Sequence, residues 1–313
     1  MADLELSIVI PLFNEEDSVP PLYAAVKAAV EQLGVRYEII FVDDGSNDET
    51  LERARHLADG DPSLRVLSFR KNCGQTPAMA AGIDFARGAS IVTMDGDLQN
   101  DPKDIGMLVS KLDEGYDLAV GWRQNRQDKA LTRKLPSKIA NWIIGKITGV
   151  PIRDNGCSLK AYRASVIKQI PLYSDMHRFI PAMASISGAK IVEVPVRHHA
   201  RQHGVSKYGL NRTFKVLVDL LSVKTIISFS HRPLLWFALL AIPAMLVSVA
   251  CLGLTFWTLL FDTHRVSLSI AGTGILFAAL GIFLALNGIL AEMVFKTGDI
   301  RFAPLAKLTM EEK

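Results

Sequence analysis

The chain has 313 residues, of which 49% are hydrophobic, and its formal net charge is only +3. That length suits one large globular domain with a smaller part, or two modest domains, and so small an excess of positive charge gives no reason to expect a nucleic acid partner. The three cysteines are scattered and odd in number, which fits reduced thiols and argues against a disulfide framework.

The first part of the chain alternates between strand-like and helix-like segments. Apolar stretches of the strand type occupy 5–12, 37–43, 64–69 and 90–95, and helix-like stretches occupy 15–33, 48–58 and 76–87. This alternation predicts the α/β class, with a mostly parallel sheet that helices cover on both faces. The first residues lead directly into a strand and carry no basic run of the kind that opens a cleavable signal. We therefore expect residues 1–210 to form one cytosolic domain.

Polar side chains follow three of the predicted strands, at the point where each strand ends. They are Asn14 and Glu15 after the first strand, Asp43 and Asp44 at the end of the second, and Asp95 and Asp97 after the fourth. Ligands of open α/β sheets bind beyond the carboxyl ends of the strands. We therefore expect these side chains to meet in one site.

The segment 95–101, DGDLQND, places three acids within seven positions. Like charges so close repel one another unless a cation lies among them. The carboxylates of Asp95 and Asp97, with the amide oxygen of Gln99, are ligands that suit Mg²⁺ or Mn²⁺. An Asp-x-Asp alone also occurs in turns and helix caps, but its place after an apolar strand favours a metal site. The chain has neither a P-loop nor a dinucleotide fingerprint, so a metal and nearby cations would have to balance any bound diphosphate.

Two long uncharged runs lie near the end of the chain, at 233–261 and 266–291. Each exceeds the roughly 20 residues that a helix needs to cross the bilayer core. The alternative is a pair of core helices in a soluble protein, but such helices normally keep a polar face that these runs lack. We interpret 233–292 as a transmembrane hairpin, preceded by an amphipathic juxtamembrane segment at 211–232 and followed by a cytosolic tail at 293–313.

Basic residues flank the hairpin and indicate its orientation. They are Lys215, Lys224 and Arg232 before the first run, and Lys296, Arg301 and Lys307 after the second. The positive-inside rule assigns both ends to the cytoplasm. Small residues in the hairpin would allow close helix packing between protomers, namely Gly272, Gly274 and Gly281. The sequence therefore permits a homo-oligomer without specifying one.

Six motifs in order resemble one enzyme family. They are SIVIPLFNEE, VDDGSNDET, GQTPAMAAG, MDGDLQNDP, VGWR and RDNGCSLKAYR. Together they are similar to the catalytic domain of family 2 glycosyltransferases, and more narrowly to the polyprenyl-phosphate glycosyltransferases, which include bactoprenol glucosyltransferases and dolichyl-phosphate mannose synthases. The resemblance covers residues 5 to about 230 and implies a GT-A-type fold. The hairpin matches the bactoprenol branch, which implies an integral protein of a bacterial inner or plasma membrane.

The resemblance implies a binding site for a nucleotide-sugar donor and a divalent metal. By position in the motifs, the residues implied to bind the donor are Pro11, Phe13, Glu15, Val42, Asp44, Asp95, Gly96 and Asp97. The residues implied to close over its diphosphate are Arg201, Ser206 and Lys207. The metal ligands implied for Mg²⁺ or Mn²⁺ are Asp95, Asp97 and Gln99.

The acceptor implied by the resemblance is a polyprenyl phosphate in the bilayer. Its phosphate would be held by Arg123, Arg133 and Ser137, because the planar fork of an arginine suits phosphate. The alternative for the two arginines is solvated surface charge. Asp154 would orient the acceptor or a sugar hydroxyl and need not act as a base. With Asp95 and Asp97, these residues complete the implied catalytic set.

The family's reaction is one inverting displacement that turns an α-linked nucleotide sugar into a β-linked glycosyl phosphate lipid. UDP-glucose is the first choice of donor, while UDP-N-acetylglucosamine, UDP-galactose, GDP-mannose and a modified arabinose stay open. A processive polysaccharide synthase is a rival, but its Q-x-x-R-W motif is missing from the sequence. A non-catalytic, membrane-anchored subunit that binds nucleotide sugars is a second rival, against which Asp95, Asp97 and Arg201 argue.

Overall fold

The computed structural model describes residues 4–124, 145, 149–172, 176–186, 188–199, 233–261 and 267–297. The chain divides into two compact units, residues 1–223 and 224–313. The described part of the first unit contains the sheet and all six of the motifs. The described part of the second unit consists of two long helices.

The first unit is built on a seven-stranded sheet. Its strands are β1 (Leu6–Leu12), β2 (Tyr37–Asp43), β3 (Leu64–Ser68), β4 (Ser90–Thr93), β5 (Leu118–Arg123), β6 (Lys160–Arg163) and β7 (Ile191–Val196). Their order in space is β3-β2-β1-β4-β6-β5-β7. All pairings are parallel except those of β6, which runs antiparallel to β4 and to β5. The predicted class, a mostly parallel sheet of the GT-A type, is confirmed.

Helices cover the sheet on both faces. They are α1 (Val19–Glu31), α2 (Thr50–Asp59), α3 (Gln75–Phe85), α4 (Ile105–Asp113), α5 (Ala164–Ile167) and α6 (Ile180–Ile186), with 3₁₀ turns at Pro102–Asp104 and Met176–Arg178. One buried cluster joins α1, α2 and α4 to the sheet, and the other joins α3, α5 and α6 to its opposite face. This double coverage explains why β1 and β2 are almost continuously apolar.

Among the element boundaries that differ from the sequence prediction, two bear on the site. The first helix begins at Val19 and not at residue 15, with prolines in its first turn, a position where a missing N–H costs nothing. The fourth strand ends at Thr93. Asp95 therefore lies beyond the strand, in the loop that follows it.

The second unit is a hairpin of two apolar helices, α7 (Pro233–Phe261) and α8 (Leu268–Thr297), as predicted. Both are long and apolar enough to cross a membrane, with mean hydropathies of 2.4 and 2.3. Three glycines spaced by seven residues bring the helices together: Gly274 faces Leu252, Gly281 faces Met245 and Gly288 faces Phe237. Gly274 and Gly281, which by sequence would allow contacts between protomers, thus pack within the chain. A Cβ on Gly272 would meet no atom of another element within 4 Å among the described residues.

Candidate functional site

The candidate site lies where the strand order of the sheet reverses. The chain runs outward from β1 through β2 to β3, and then returns to place β4 on the other side of β1. Such a reversal opens a crevice beyond the carboxyl ends of the two central strands. The residues that follow β1, β2 and β4 lie at this edge of the sheet.

Asp44 fixes the loop that leads into α3. Its carboxylate is buried and accepts hydrogen bonds from the backbone N–H groups of Cys73 and Gly74, at 2.7 and 2.9 Å. Burial raises the pKa of Asp44, and these two hydrogen bonds oppose that rise. Each oxygen keeps a further lone pair for a ligand. Gly45 has a φ of +68° and lies so close to Lys71 that a Cβ would meet its backbone, which explains the glycine after the two acids.

Asp95 is held by Gln75, which follows Cys73 and Gly74 in the sequence. Gln75, the first residue of α3, donates from Nε2 to Asp95 Oδ1 at 2.6 Å. Residues 73–75 therefore connect Asp44, which follows β2, to Asp95, which follows β4. Burial and the neighbouring Asp97 carboxylate raise the pKa of Asp95, so in the absence of a cation the pair resists full ionisation.

The loop between the two acids approaches the end of β1 very closely. A Cβ on Gly96 would lie 2.5 Å from Leu12 Cδ2 and 3.2 Å from the Pro11 carbonyl oxygen, so any larger residue there would have to displace the Leu12 side chain. Leu98 then adopts a left-handed conformation with a φ of 58°, which is unfavourable for a residue with a side chain. Asp97 Oδ1 accepts a hydrogen bond from the Gln99 backbone N–H at 3.1 Å, and this bond stabilises the turn.

The two acids fit a divalent metal by their chemistry. Asp97 is almost fully buried beside Asp95. Two adjacent buried carboxylates repel each other, and a bound cation would offset that repulsion. Within the described part of the chain, no three acidic, histidine or cysteine side chains are close enough to share a metal ion. The donor set would then be two carboxylates completed by ligand and water oxygens, which is how Mg²⁺ is commonly held. The Gln99 side chain stays a predicted ligand.

The first motif forms the side of the crevice next to β2. Pro11 pairs with Val42 across the two strands, so both predicted donor residues lie at the carboxyl end of the sheet. Phe13 follows, partly buried. Glu15 accepts a hydrogen bond from Ser18 Oγ at 2.9 Å, which ties its carboxylate to the turn ahead of α1.

Arg123 and Asp154 form a buried ion pair. Arg123 ends β5, and its Nε and Nη2 donate to the two carboxylate oxygens of Asp154 at 2.7 and 2.9 Å. Although burial alone would lower it, the hydrogen bonds with Asp154 raise the pKa of Arg123 overall. The guanidinium is therefore permanently charged and oriented, and Nη1 lies outside these two bonds.

Several predicted residues lie outside the described part of the chain. They are Arg133 and Ser137 of the acceptor set, Arg201, Ser206 and Lys207 of the diphosphate set, and the juxtamembrane segment 211–232. Their roles stay predictions.

The structure describes the residues that precede the predicted diphosphate segment. His198 pairs with Asn100 as an isolated bridge, and the His199 backbone N–H donates to the Gln99 carbonyl oxygen at 2.8 Å. Arg197 donates to the buried Asp104 from Nε at 2.9 Å and Nη2 at 2.6 Å. The residues just before position 200 are thus attached to the loop that carries the two acids.

Sequence reasoning assigned no role to four further residues beside the acids: Gln75, Asn100, Ser158 and Lys160. Asn100 donates to Ser158 Oγ at 2.8 Å, and Lys160 is buried on β6. All four lie within motifs that carried the resemblance. Their side-chain contacts span 17 residues or more of sequence, so no local pattern revealed them.

Comparison with known proteins identifies relatives across almost the whole chain. The model of glycosyl transferase family 2 matches residues 7–171. Dodecaprenyl-phosphate galacturonate synthase of Rhizobium johnstonii is 49% identical over 94% of this chain and 88% of its own. Undecaprenyl-phosphate 4-deoxy-4-formamido-L-arabinose transferase of Edwardsiella ictaluri is 37% identical over 96% and 91%.

Solved structures share the fold at low identity. Glucosyl-3-phosphoglycerate synthase from Mycobacterium tuberculosis, in complex with Mn²⁺, UDP and phosphoglyceric acid, has a TM-score of 0.56 at 19% identity and covers 71% of this chain and 79% of its own. The same enzyme with Mg²⁺ and UDP has a TM-score of 0.54 at 18% identity, over 71% and 80%. At that identity, the likeness concerns the fold alone.

Proposed function

Because the chain belongs to glycosyl transferase family 2, we propose that it transfers a sugar from a nucleotide-sugar donor to a polyprenyl phosphate at the cytosolic face of a membrane. The observation that carries this proposal is the meeting of Asp44, Asp95 and Asp97 at the reversal of strand order. The acceptor class comes from the relatives, whose names contain dodecaprenyl and undecaprenyl phosphate.

The proposed donor is a nucleotide-activated galacturonic acid. The sequence alone favoured UDP-glucose, but neither of the two relatives is named for glucose. The relative named for galacturonate has the higher identity to this chain, and the one named for a formamido-arabinose the lower. The arabinose derivative is the second candidate.

In the proposed reaction, the lipid phosphate attacks the anomeric carbon and the nucleoside diphosphate departs. The phosphate's second pKa is about 6, so near neutral pH it needs positioning more than deprotonation. Arg123 can supply a charged donor, because Asp154 holds its guanidinium in one orientation. Attack from the face opposite the leaving group inverts the configuration, so an α-linked donor gives a β-linked glycosyl phosphate lipid.

Asp95 and Asp97 would hold the divalent metal, Mg²⁺ or Mn²⁺, which when bound neutralises charge on the donor diphosphate. The chain's own contribution is to fix the two carboxylates. Gln75 orients Asp95, and the Gln99 backbone orients Asp97. Arg201, Ser206 and Lys207 are proposed to contact the same diphosphate.

The hairpin of α7 and α8 is proposed to anchor the protein in the bilayer that contains the acceptor. Its described residues from 233 to 261 include no charged side chain, so this helix offers no group for acid-base chemistry. A polyprenyl tail stays in the bilayer while its phosphate lies at the level of the head groups. Both ends of the hairpin would face the cytosol, where nucleotide sugars are present.

A transfer assay tests the proposed function. Purified full-length protein would be given undecaprenyl phosphate, Mn²⁺ and, in separate reactions, radiolabelled UDP-galacturonate, UDP-glucose and UDP-4-deoxy-4-formamido-L-arabinose. We expect label to enter the lipid fraction most rapidly from UDP-galacturonate. Transfer from another donor alone would contradict the proposed sugar, and absence of transfer from every nucleotide sugar would contradict the activity.

A further inference from the structure

The loop that carries the two acids contains a residue in an unfavourable backbone conformation. Leu98 lies between Asp97 and Gln99 and has a φ of 58°. Its side chain packs against the buried cluster that joins α1, α2 and α4 to the sheet. A left-handed conformation of this kind costs free energy and persists only where the surrounding contacts enforce it. The residues next to Leu98 must therefore be held from outside the loop.

The two residues that follow it are held by the chain segment that leaves β7. The Gln99 carbonyl oxygen accepts a hydrogen bond from the His199 backbone N–H at 2.8 Å. Asn100 forms an isolated antiparallel bridge with His198. The side chain of Asn100 is also held, because its Nδ2 donates to Ser158 Oγ at 2.8 Å. Residues 99 and 100 therefore have a fixed position relative to the end of β7.

Arg197, the residue that follows β7, adds charged contacts between the two segments. Its Nε and Nη2 donate to Asp104 Oδ1 at 2.9 and 2.6 Å, and its backbone N–H donates to Asp104 Oδ2 at 2.7 Å. Asp104 is only 4% exposed, and a buried carboxylate is costly unless it is paired. Within the described part of the chain, every hydrogen bond to the Asp104 carboxylate comes from Arg197. Arg197 thus compensates the burial of this acid.

Asp101, the third acid of the segment 95–101, takes part in the same contacts. Its Oδ1 accepts a hydrogen bond from the Lys103 backbone N–H at 3.0 Å. Its Oδ2 lies 3.3 Å from Arg197 Nη1 and 3.4 Å from His199 Nε2. Although burial opposes the shift, the Lys103 N–H, His199 and Arg197 lower the pKa of Asp101, so its carboxylate is ionised near neutral pH. Asp101 is therefore committed to protein contacts, which agrees with a metal site made by the other two acids of the segment.

We propose that Arg197 is a positioning residue for the divalent metal, because its contacts with this loop hold the Asp97 carboxylate beside Asp95. This inference rests on the metal site of the proposed function. Metal ligands are commonly oriented by residues that do not touch the metal, and loss of such a residue typically weakens metal binding or activity roughly ten- to a hundredfold. Without Arg197, the unfavourable conformation at Leu98 relaxes, and the neighbouring Asp97 moves with it.

The test measures Mn²⁺ binding by the full-length protein in detergent, from the electron paramagnetic resonance signal of free Mn²⁺, with and without UDP. It compares the unaltered protein with Arg197→Ala, Arg197→Lys and Asp104→Asn. We expect Arg197→Ala and Asp104→Asn each to raise the Kd for Mn²⁺ roughly ten- to a hundredfold. The variant with both changes should bind no more weakly than either, because the two residues form one pair. Arg197→Lys, which keeps the charge and the backbone N–H, should recover part of the affinity.

Arg65→Ala is the matched control, because Arg65 likewise pairs with a buried carboxylate, that of Glu38, at 2.7 Å. Glu38 is the second residue of β2 and so lies at the opposite end of this strand from the candidate site. Arg197→Ala and Arg65→Ala should both unfold at a lower temperature. Only Arg197→Ala should lose Mn²⁺ affinity, and only in that variant should the backbone amides of 98–101 exchange hydrogen faster.

The outcomes separate this role from folding and from the proposed function. Unchanged Mn²⁺ affinity in Arg197→Ala, or an equal loss in Arg65→Ala, would overturn the positioning role. If Arg197→Ala does not fold, Asp104→Asn, which keeps the size of the side chain, decides in the same way. Absence of sugar transfer by an unaltered protein that binds Mn²⁺, with the expected losses in the variants, would overturn the proposed function and leave this role standing. Absence of Mn²⁺ binding by the unaltered protein would overturn the metal assignment and this role together.

Discussion

Asp154 binds the guanidinium of Arg123 with both of its carboxylate oxygens, at 2.7 and 2.9 Å, although 31 residues separate the two in sequence. The pair is largely buried, with side-chain exposures of 4% for Asp154 and 14% for Arg123. A carboxylate committed in this way orients a cation, and it is poorly placed to remove a proton from a substrate.

Asp154→Asn should therefore weaken acceptor binding and stability together. Removing one partner of a buried ion pair typically costs about 3 to 5 kcal/mol, and an unoriented Arg123 should raise the KM for the lipid phosphate. Thermal unfolding and acceptor kinetics measure the two effects. Glu5→Gln, which breaks the exposed pair with Arg36, is the control and should change neither. A large loss of kcat with unchanged acceptor KM would instead identify Asp154 as a base.

Asp97→Ala should abolish turnover while the fold survives. The change removes one of two adjacent carboxylates, which relieves their repulsion but leaves a single acid to hold the metal. Transfer is measured over a range of Mn²⁺ concentrations, and the unaltered protein should lose activity in a chelator. Asp113→Ala, at an exposed acid of α4, should behave as the unaltered protein. Near-normal rates in the chelator would refute the metal assignment.

Arg133→Ala should raise the KM for polyprenyl phosphate far more than the KM for the nucleotide sugar. Loss of one charged hydrogen bond costs about 1.5 to 3 kcal/mol, or roughly ten- to a hundredfold. Initial rates with each substrate varied in turn measure both constants. Arg55→Ala on the exposed side of α2 is the matched control. If the donor constant rises instead, Arg133 does not belong to the acceptor set.

Glu292→Ala should destabilise the hairpin and leave UDP binding intact. Glu292 Oε2 of α8 accepts a hydrogen bond from the Leu234 backbone N–H at 3.3 Å, at the N-terminus of α7, where unpaired N–H groups and the helix dipole favour an anion. We expect a loss of about 0.5 to 2 kcal/mol, the usual range for a helix cap, seen as a lower unfolding temperature in detergent. Glu292→Gln keeps an acceptor and should lose less. Identical unfolding of all three proteins would show that the bond does not stabilise the hairpin.

The sequence predicted those features that depend on neighbouring residues. The bounds of β2 were identified at both ends, because an apolar run that is buried on both faces stops at Asp43. The two acids after β4 were located by the same reasoning. The uncharged runs likewise predicted α7 and α8.

The remaining features depend on contacts between distant residues. Nothing local shows that Lys160 lies in a strand antiparallel to its neighbours, or that its ammonium group is buried. The pairing of Arg123 with Asp154 and the anchoring of Asp95 by Gln75 likewise arise only when β5, α3 and the loops beyond the sheet come together. Each of these residues belongs to a motif of the resemblance, but the motif does not reveal its partner.

The most direct test of the central claim is the dependence of sugar transfer on the acceptor's phosphate. Purified full-length protein in detergent would be given radiolabelled UDP-galacturonate, Mn²⁺ and either undecaprenyl phosphate or undecaprenol, with Asp97→Ala as the inactive control. The account predicts a β-linked glycosyl phosphate lipid from undecaprenyl phosphate and no product from undecaprenol. Equal transfer to both lipids, or release of free sugar without any lipid product, would contradict it.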